Sequence, residues 1–133
     1  YALRVLKGFD KKQTLSWSVE KQSKLELGDN GILRAESVSG SGIRVAKNSN
    51  LRVKYRMGGE ICQLVGRPRK PLKKLLQEEE VAPWLRERLP LLYMEDELVC
   101  IPGIGIAENY VAKANENGFL ICWETPGFNL AGD

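Results

Sequence analysis

Apolar and polar positions change places in short steps along most of this chain. Leu51, Val53 and Tyr55 alternate with Arg52, Lys54 and Arg56. Successive side chains of a strand point to opposite faces, so this stretch predicts a strand with an apolar face toward a core and a row of cations spaced by about 6.6 Å on the other. Before it, turn chemistry at Gly28-Asp-Asn-Gly31, Ser39-Gly-Ser-Gly42 and Asn48-Ser-Asn50 separates Lys24–Leu27, Gly31–Arg34 and Ile43–Ala46, which read as hairpin strands. After it, Met57-Gly58-Gly59 reads as a turn and Ile61–Val65 as a returning strand. Leu91–Tyr93, Glu97–Ile101 and Gly118–Trp123 are further strands, with Pro102-Gly103 as a turn and Asn129–Asp133 as a frayed tail.

The period changes once. Leu72, Leu75 and Leu76 recur at i, i+3, i+4, which predicts a helix running from Pro71 toward Glu80 with Lys73, Lys74 and Gln77 on its opposite face. Pro71 suits a first turn, where its missing N–H costs nothing. Pro83 disfavours helical geometry at Ala82, and Trp84–Leu89 predicts one or two more turns before Pro90. Many short strands with an inserted helix indicate an α+β domain: a mostly antiparallel sheet of short strands with one or two short helices packed against it.

Composition fits a folded domain: of 133 residues, 43% are hydrophobic and 28% charged. No apolar run approaches the roughly 20 residues that span a bilayer, so a cytoplasmic chain with no membrane partner is expected. The chain opens on Tyr1 with Ala2–Leu6 already patterned, as expected of a piece of a longer polypeptide. Cys62, Cys100 and Cys122 form no C-x-x-C pair and lie among β-formers, so they are expected to be small apolar side chains rather than ligands. Histidine is absent, which removes Ser-His and Cys-His nucleophile pairs. The acidic group Glu95-Asp96-Glu97 lies between two strand segments and reads as a charged hairpin turn. Trp17, Trp84 and Trp123 could stack on bases but read as packing residues.

Charge alters the picture most. Eight cations and one anion, Glu60, fall between Arg52 and Lys74, a local balance of +7 in a chain of net charge +3, so the rest sums to −4. Such segregation is the footprint of a surface that meets phosphates, or else a solvated charged face. In the predicted helix the cations Arg67, Arg69, Lys70, Lys73 and Lys74 crowd the beginning and Glu78–Glu80 the end, the reverse of what the helix dipole favours. A helix start that offers unpaired N–H groups amid cations would be relieved by a docking phosphate.

The words from Leu72 to Gly105 resemble the C-terminal module of the tRNA(Ile)-lysidine synthetase family. The resemblance rests on Leu72, Lys73, Lys74, Leu75, Gln77, Glu78, Val81, Pro83, Trp84, Leu85, Arg86, Pro90, Leu91, Leu92, Tyr93, Asp96, Glu97, Leu98, Gly103 and Gly105. An Arg-x-Gly-Gly-Glu at Arg56, Gly58, Gly59 and Glu60 precedes them, and Trp123 closes the motif. It covers 51–123 and is loose before that. Ala82 and Glu95 stand where the pattern often has Pro and Gly. The resemblance implies an ATP-dependent ligase that adenylates the wobble cytidine of the tRNA(Ile) anticodon and lets lysine displace the adenylate. Its Ser-Gly-Gly-x-Asp-Ser loop does not occur here, so ATP and Mg would belong to an N-terminal catalytic domain that would also be a partner, and no cofactor or catalytic residue is expected in these residues. It further implies that residues 1–123 form a tRNA-binding domain, with 124–133 a tail. Lys73, Lys74 and Arg86 carry over by motif as tRNA contacts. Arg52, Lys54, Arg56, Arg67, Arg69, Lys70 and Arg88 are added from charge and geometry. The alternative is a protein–protein or interdomain module that holds an acidic partner.

Overall fold

A computed structural model of the chain describes residues 12–47, 49–125 and 128–131. The patterning of Ala2–Leu6, Asn48 of the expected 48–50 turn, and the last two residues of the expected tail lie outside these. The hairpin signal around Gly28–Gly31 is realised: β2 (Lys24–Glu26) pairs antiparallel with β3 (Ile32–Ser39) through a short 3-10 turn over Gly28–Asn30. β3 runs on to Ser39 because β10 (Asn117–Thr125) pairs along its length, from Glu124↔Ile32 to Asn117↔Ser39. β11 (Phe128–Ala131) adds to β10, so a strand stands where a frayed tail was expected. These four strands form one antiparallel sheet in the order β11-β10-β3-β2.

The second sheet has the order β1-β4-β7-β8-β9, built from β1 (Leu15–Trp17), β4 (Leu51–Lys54), β7 (Leu91–Met94), β8 (Glu97–Ile101) and β9 (Gly105–Ile106). A ribbon of β5 (Ile61–Cys62) and β6 (Lys70–Pro71) continues it, since Val65 N–H donates to the Ile106 carbonyl and Glu108 N–H to that of Gln63. The Leu64 side chain lies over Gly105, where a Cβ would stand 2.8 Å from Leu64 Cδ1. Ile43–Ala46, read as a strand, contributes only single bridges from Ile43 to Val111 and Phe119.

The alternation in β4 does what it predicted: Leu51, Val53 and Tyr55 are buried and Arg52 is exposed. Helix α1 (Leu72–Glu78) buries Leu72, Leu75 and Leu76, each worth about 2 kcal/mol relative to exposure. It ends in a left-handed cap: Glu80, at φ +56°, lets Val81 N–H reach the Leu76 carbonyl and its own N–H reach that of Gln77. Helix α2 (Pro83–Arg86) is a single turn with Pro83 leading it. Trp17, Leu33 and Trp123 join the two sheets in one core. Cys62 and Cys100 are buried, as expected, and Cys122 is partly so. Trp84 departs from expectation: it is 57% exposed on α2, whereas Trp17 and Trp123 are fully buried.

One buried polar knot fastens the sheets. Asn30 donates from Nδ2 to the Arg88 carbonyl at 2.8 Å and to Tyr55 Oη at 3.3 Å, and its own carbonyl accepts from Trp123 Nε1 at 2.8 Å. Among the described residues no helix is long and apolar enough to cross a membrane.

Candidate nucleic-acid interface

The predicted cations do not all serve one surface. Arg67 and Lys70 are drawn along α1 to its acidic end, Arg67 Nη1 pairing with Glu79 at 2.7 Å and Lys70 Nζ with Glu78 at 2.5 Å. The hydrogen bond from Lys70 holds the Glu78 carboxyl below the usual carboxylate range. The reversed charge order is therefore relieved within the protein, by bringing the cations before the helix alongside the anions at its end. The helix start is not an open anion site either. α1 has only seven residues, and Leu72 N–H donates to the Glu60 carbonyl at 2.8 Å.

Arg88 requires a correction: it is 8% exposed, and its backbone carbonyl belongs to the Asn30 knot, so its side chain is part of the interior rather than a phosphate contact. Arg86 is half-buried and donates from Nε to the Val81 carbonyl at 2.8 Å, tying α2 to the segment before it. Arg69 is exposed but lines a cleft of about 340 Å³ with Gln63, Asp96, Glu97 and Glu108, where acids surround it. Glu95 and Asp96 form the turn of the β7–β8 hairpin, as the charged-turn reading expected.

Five of the predicted cations remain, held in no ion pair, backbone hydrogen bond or acid-lined cleft among the described residues. Arg52, Lys54 and Arg56 come from the polar side of β4 and its extension, Lys73 and Lys74 from the exposed side of α1. Lys54 Nζ stands 4.9 Å from the Tyr93 ring centroid, a cation–π contact that holds it against β7. Burial, reinforced by the nearby Glu60 charge, raises the Tyr93 pKa. Glu60 is the joint of the arrangement. Its carboxylate accepts from Met57 N–H at 2.6 Å and Gly58 N–H at 3.1 Å, while its carbonyl receives Leu72 N–H, so the loop after Arg56 is fastened to the start of α1. Counting charges treats Glu60 only as the lone anion of a basic block. The signal for its role is its position three residues after Met57, the spacing at which a side-chain carboxylate reaches back to a free N–H.

Residues 51–123 match the family model for the TilS substrate C-terminal domain. The chain belongs to this family. The tRNA(Ile)-lysidine synthase of Coxiella burnetii is 36% identical to it over 128 residues, 95% of this chain and 28% of the relative. That of Nitrosomonas europaea is 39% identical over 102 residues, 74% of this chain and 22% of the relative, and that of Pseudomonas aeruginosa 43% over 76 residues, 57% and 16%. The chain thus spans between about a sixth and about a quarter of the length of these relatives. As a TilS substrate C-terminal domain it departs from the expected motif at two positions, and the backbone accounts for both. Ala82 has φ −57° and ψ 138°, values a proline would adopt unaided, and Glu95 has φ +57°, where glycine is at ease. The matched region also depends on what precedes it, since Asn30 and β3 lie outside 51–123 yet cap Trp123 and flank β10.

Proposed function

We propose that this chain is the tRNA-gripping C-terminal domain of a tRNA(Ile)-lysidine synthase, an enzyme that uses ATP to attach lysine to the wobble cytidine of tRNA(Ile). The observation that carries the reading is the set of five cations without ion pairs, Arg52, Lys54, Arg56, Lys73 and Lys74, linked through Glu60. Helical RNA is gripped through phosphates and 2′-hydroxyls, and a set of cations spread over a strand and a helix can follow such a backbone without reading bases.

The sequence lacks a Ser-Gly-Gly-x-Asp-Ser loop, so in this reading ATP and magnesium, with the adenylation and lysine transfer, belong to a catalytic domain elsewhere in the polypeptide, and the role of this domain is to hold the tRNA body within its reach. Trp84, exposed on α2, favours a second contact, with that catalytic domain. Binding of intact tRNA across a salt series tests the main reading. With five phosphates neutralised, log affinity falls against log salt with a slope of about −3.5 to −4.5. Binding that is weak and insensitive to salt, alongside tight binding to the catalytic domain, would replace it with the interdomain reading.

A further inference from the structure

The Met57–Gly59 loop is pinned from one side and bare on the other. Its N–H groups at Met57 and Gly58 are held by the Glu60 carboxylate, and Glu60 in turn is held by α1 through Leu72 N–H. Yet Met57 is 73% exposed, and a Cβ built on Gly58 or Gly59 would meet no atom within 4 Å. The two glycines sit at φ +105° and +83°, so backbone conformation selects them rather than crowding, and their outer side is open to an approaching molecule. Lys54 and Arg56 precede the loop in the chain, and Leu72, whose N–H the Glu60 carbonyl accepts, is followed by the exposed Lys73 and Lys74.

This combination has a chemical counterpart. Cations before the loop and at the helix start it is fastened to suit phosphates, an unbranched polarizable thioether suits the face of a ribose or an unstacked base, and two bare glycines let a backbone come close. We propose that the Met57–Gly59 loop is itself an RNA contact, with Met57 packing on a sugar or base of the tRNA, and that Glu60 is the positioning residue that presents it. The inference rests on the tRNA-gripping reading above and adds to it an uncharged contact, which salt does not screen.

Charge makes the role of Glu60 testable by sign. Removing a carboxylate from a basic surface strengthens binding to a polyanion if the residue is only a charge. If Glu60 positions the loop, Glu60→Ala weakens binding instead, and Glu60→Gln, which keeps one acceptor oxygen, recovers part of the loss. The measurement is affinity for unmodified tRNA over a salt series, made with the intact protein, with melting temperatures alongside. Met57→Ala is expected to lower affinity about tenfold, the scale of one stacking contact, with an unchanged salt slope and an unchanged melting temperature. Wild-type affinity in Met57→Ala, or tighter binding in Glu60→Ala, overturns this inference while leaving the tRNA reading intact. A Met57→Ala defect seen only in association with the catalytic domain makes the loop a protein contact and also overturns it. Failure of the wild-type protein to bind tRNA overturns both.

Discussion

Replacing Asn30 by alanine tests whether the residues before the matched region are part of the same folding unit. The side chain is fully buried and makes two hydrogen bonds, at 2.8 Å to the Arg88 carbonyl and at 3.3 Å to Tyr55 Oη. Losing the first leaves a buried carbonyl without that partner, a penalty of about 1 to 3 kcal/mol, and the longer second bond adds a smaller loss. Asn30 Oδ1 has no partner as it stands, so deleting it returns part of that cost. The balance is about 2 kcal/mol. Spread over the unfolding entropy of a 133-residue chain, this lowers the melting temperature by about 7 °C. Thermal melts followed by circular dichroism give the shift, and tryptophan fluorescence reports on the same knot, because Trp123 Nε1 donates to the Asn30 carbonyl. A Tyr55→Phe partner variant completes a double-mutant cycle, in which the two substitutions should be less than additive. A shift below about 2 °C, or strict additivity, would refute the view that this knot joins the two sheets.

Two further outcomes follow from backbone and burial. Glu80→Gly should raise stability by about 1 kcal/mol in urea denaturation, since it relieves a left-handed glutamate at the cap of α1 and also removes an anion from that helix end. Burial pushes the Cys100 thiol up to about 12 from 9.0. A group whose pKa is raised by folding contributes stability that is whole below its unfolded pKa and is lost as pH rises toward the folded one. Stability should therefore fall by about 1.4 kcal/mol per pH unit from Cys100 between about pH 9 and 12. Denaturation at several alkaline pH values checks this, and Cys100→Ala should flatten that part of the profile.

The elements were legible where one periodicity spoke alone. Strand β4 and helix α1 could be read because their apolar residues recur at two positions or at three and four, and the buried set matches. What escaped reading depends on partners distant in sequence. β11 exists by pairing with Cys122–Thr125, and β3 extends to Ser39 because β10 lies beside it, neither of which local patterning encodes. The candidate interface divides in the same way. Lys73 and Lys74 were placed correctly on the outer face of α1, because helical spacing fixes a face. Arg67, Lys70 and Arg88 were not distinguishable from them, because a count of cations carries no information on whether an acid or an interior waits for each. Glu60 and Met57 were masked for the opposite reason: a lone anion and a lone apolar residue in a basic block look incidental until the hydrogen bonds of the turn are seen.

The most direct test compares two double substitutions by the salt dependence of tRNA binding. Lys73→Ala with Lys74→Ala removes two unpaired cations, and Arg67→Ala with Lys70→Ala removes two that already hold Glu79 and Glu78. The first pair should flatten the slope of log affinity against log salt by about 1.4 to 1.8, at 0.7 to 0.9 per phosphate, while the second leaves it nearly unchanged. Equal flattening by both pairs, or none by the lysines, would contradict the account.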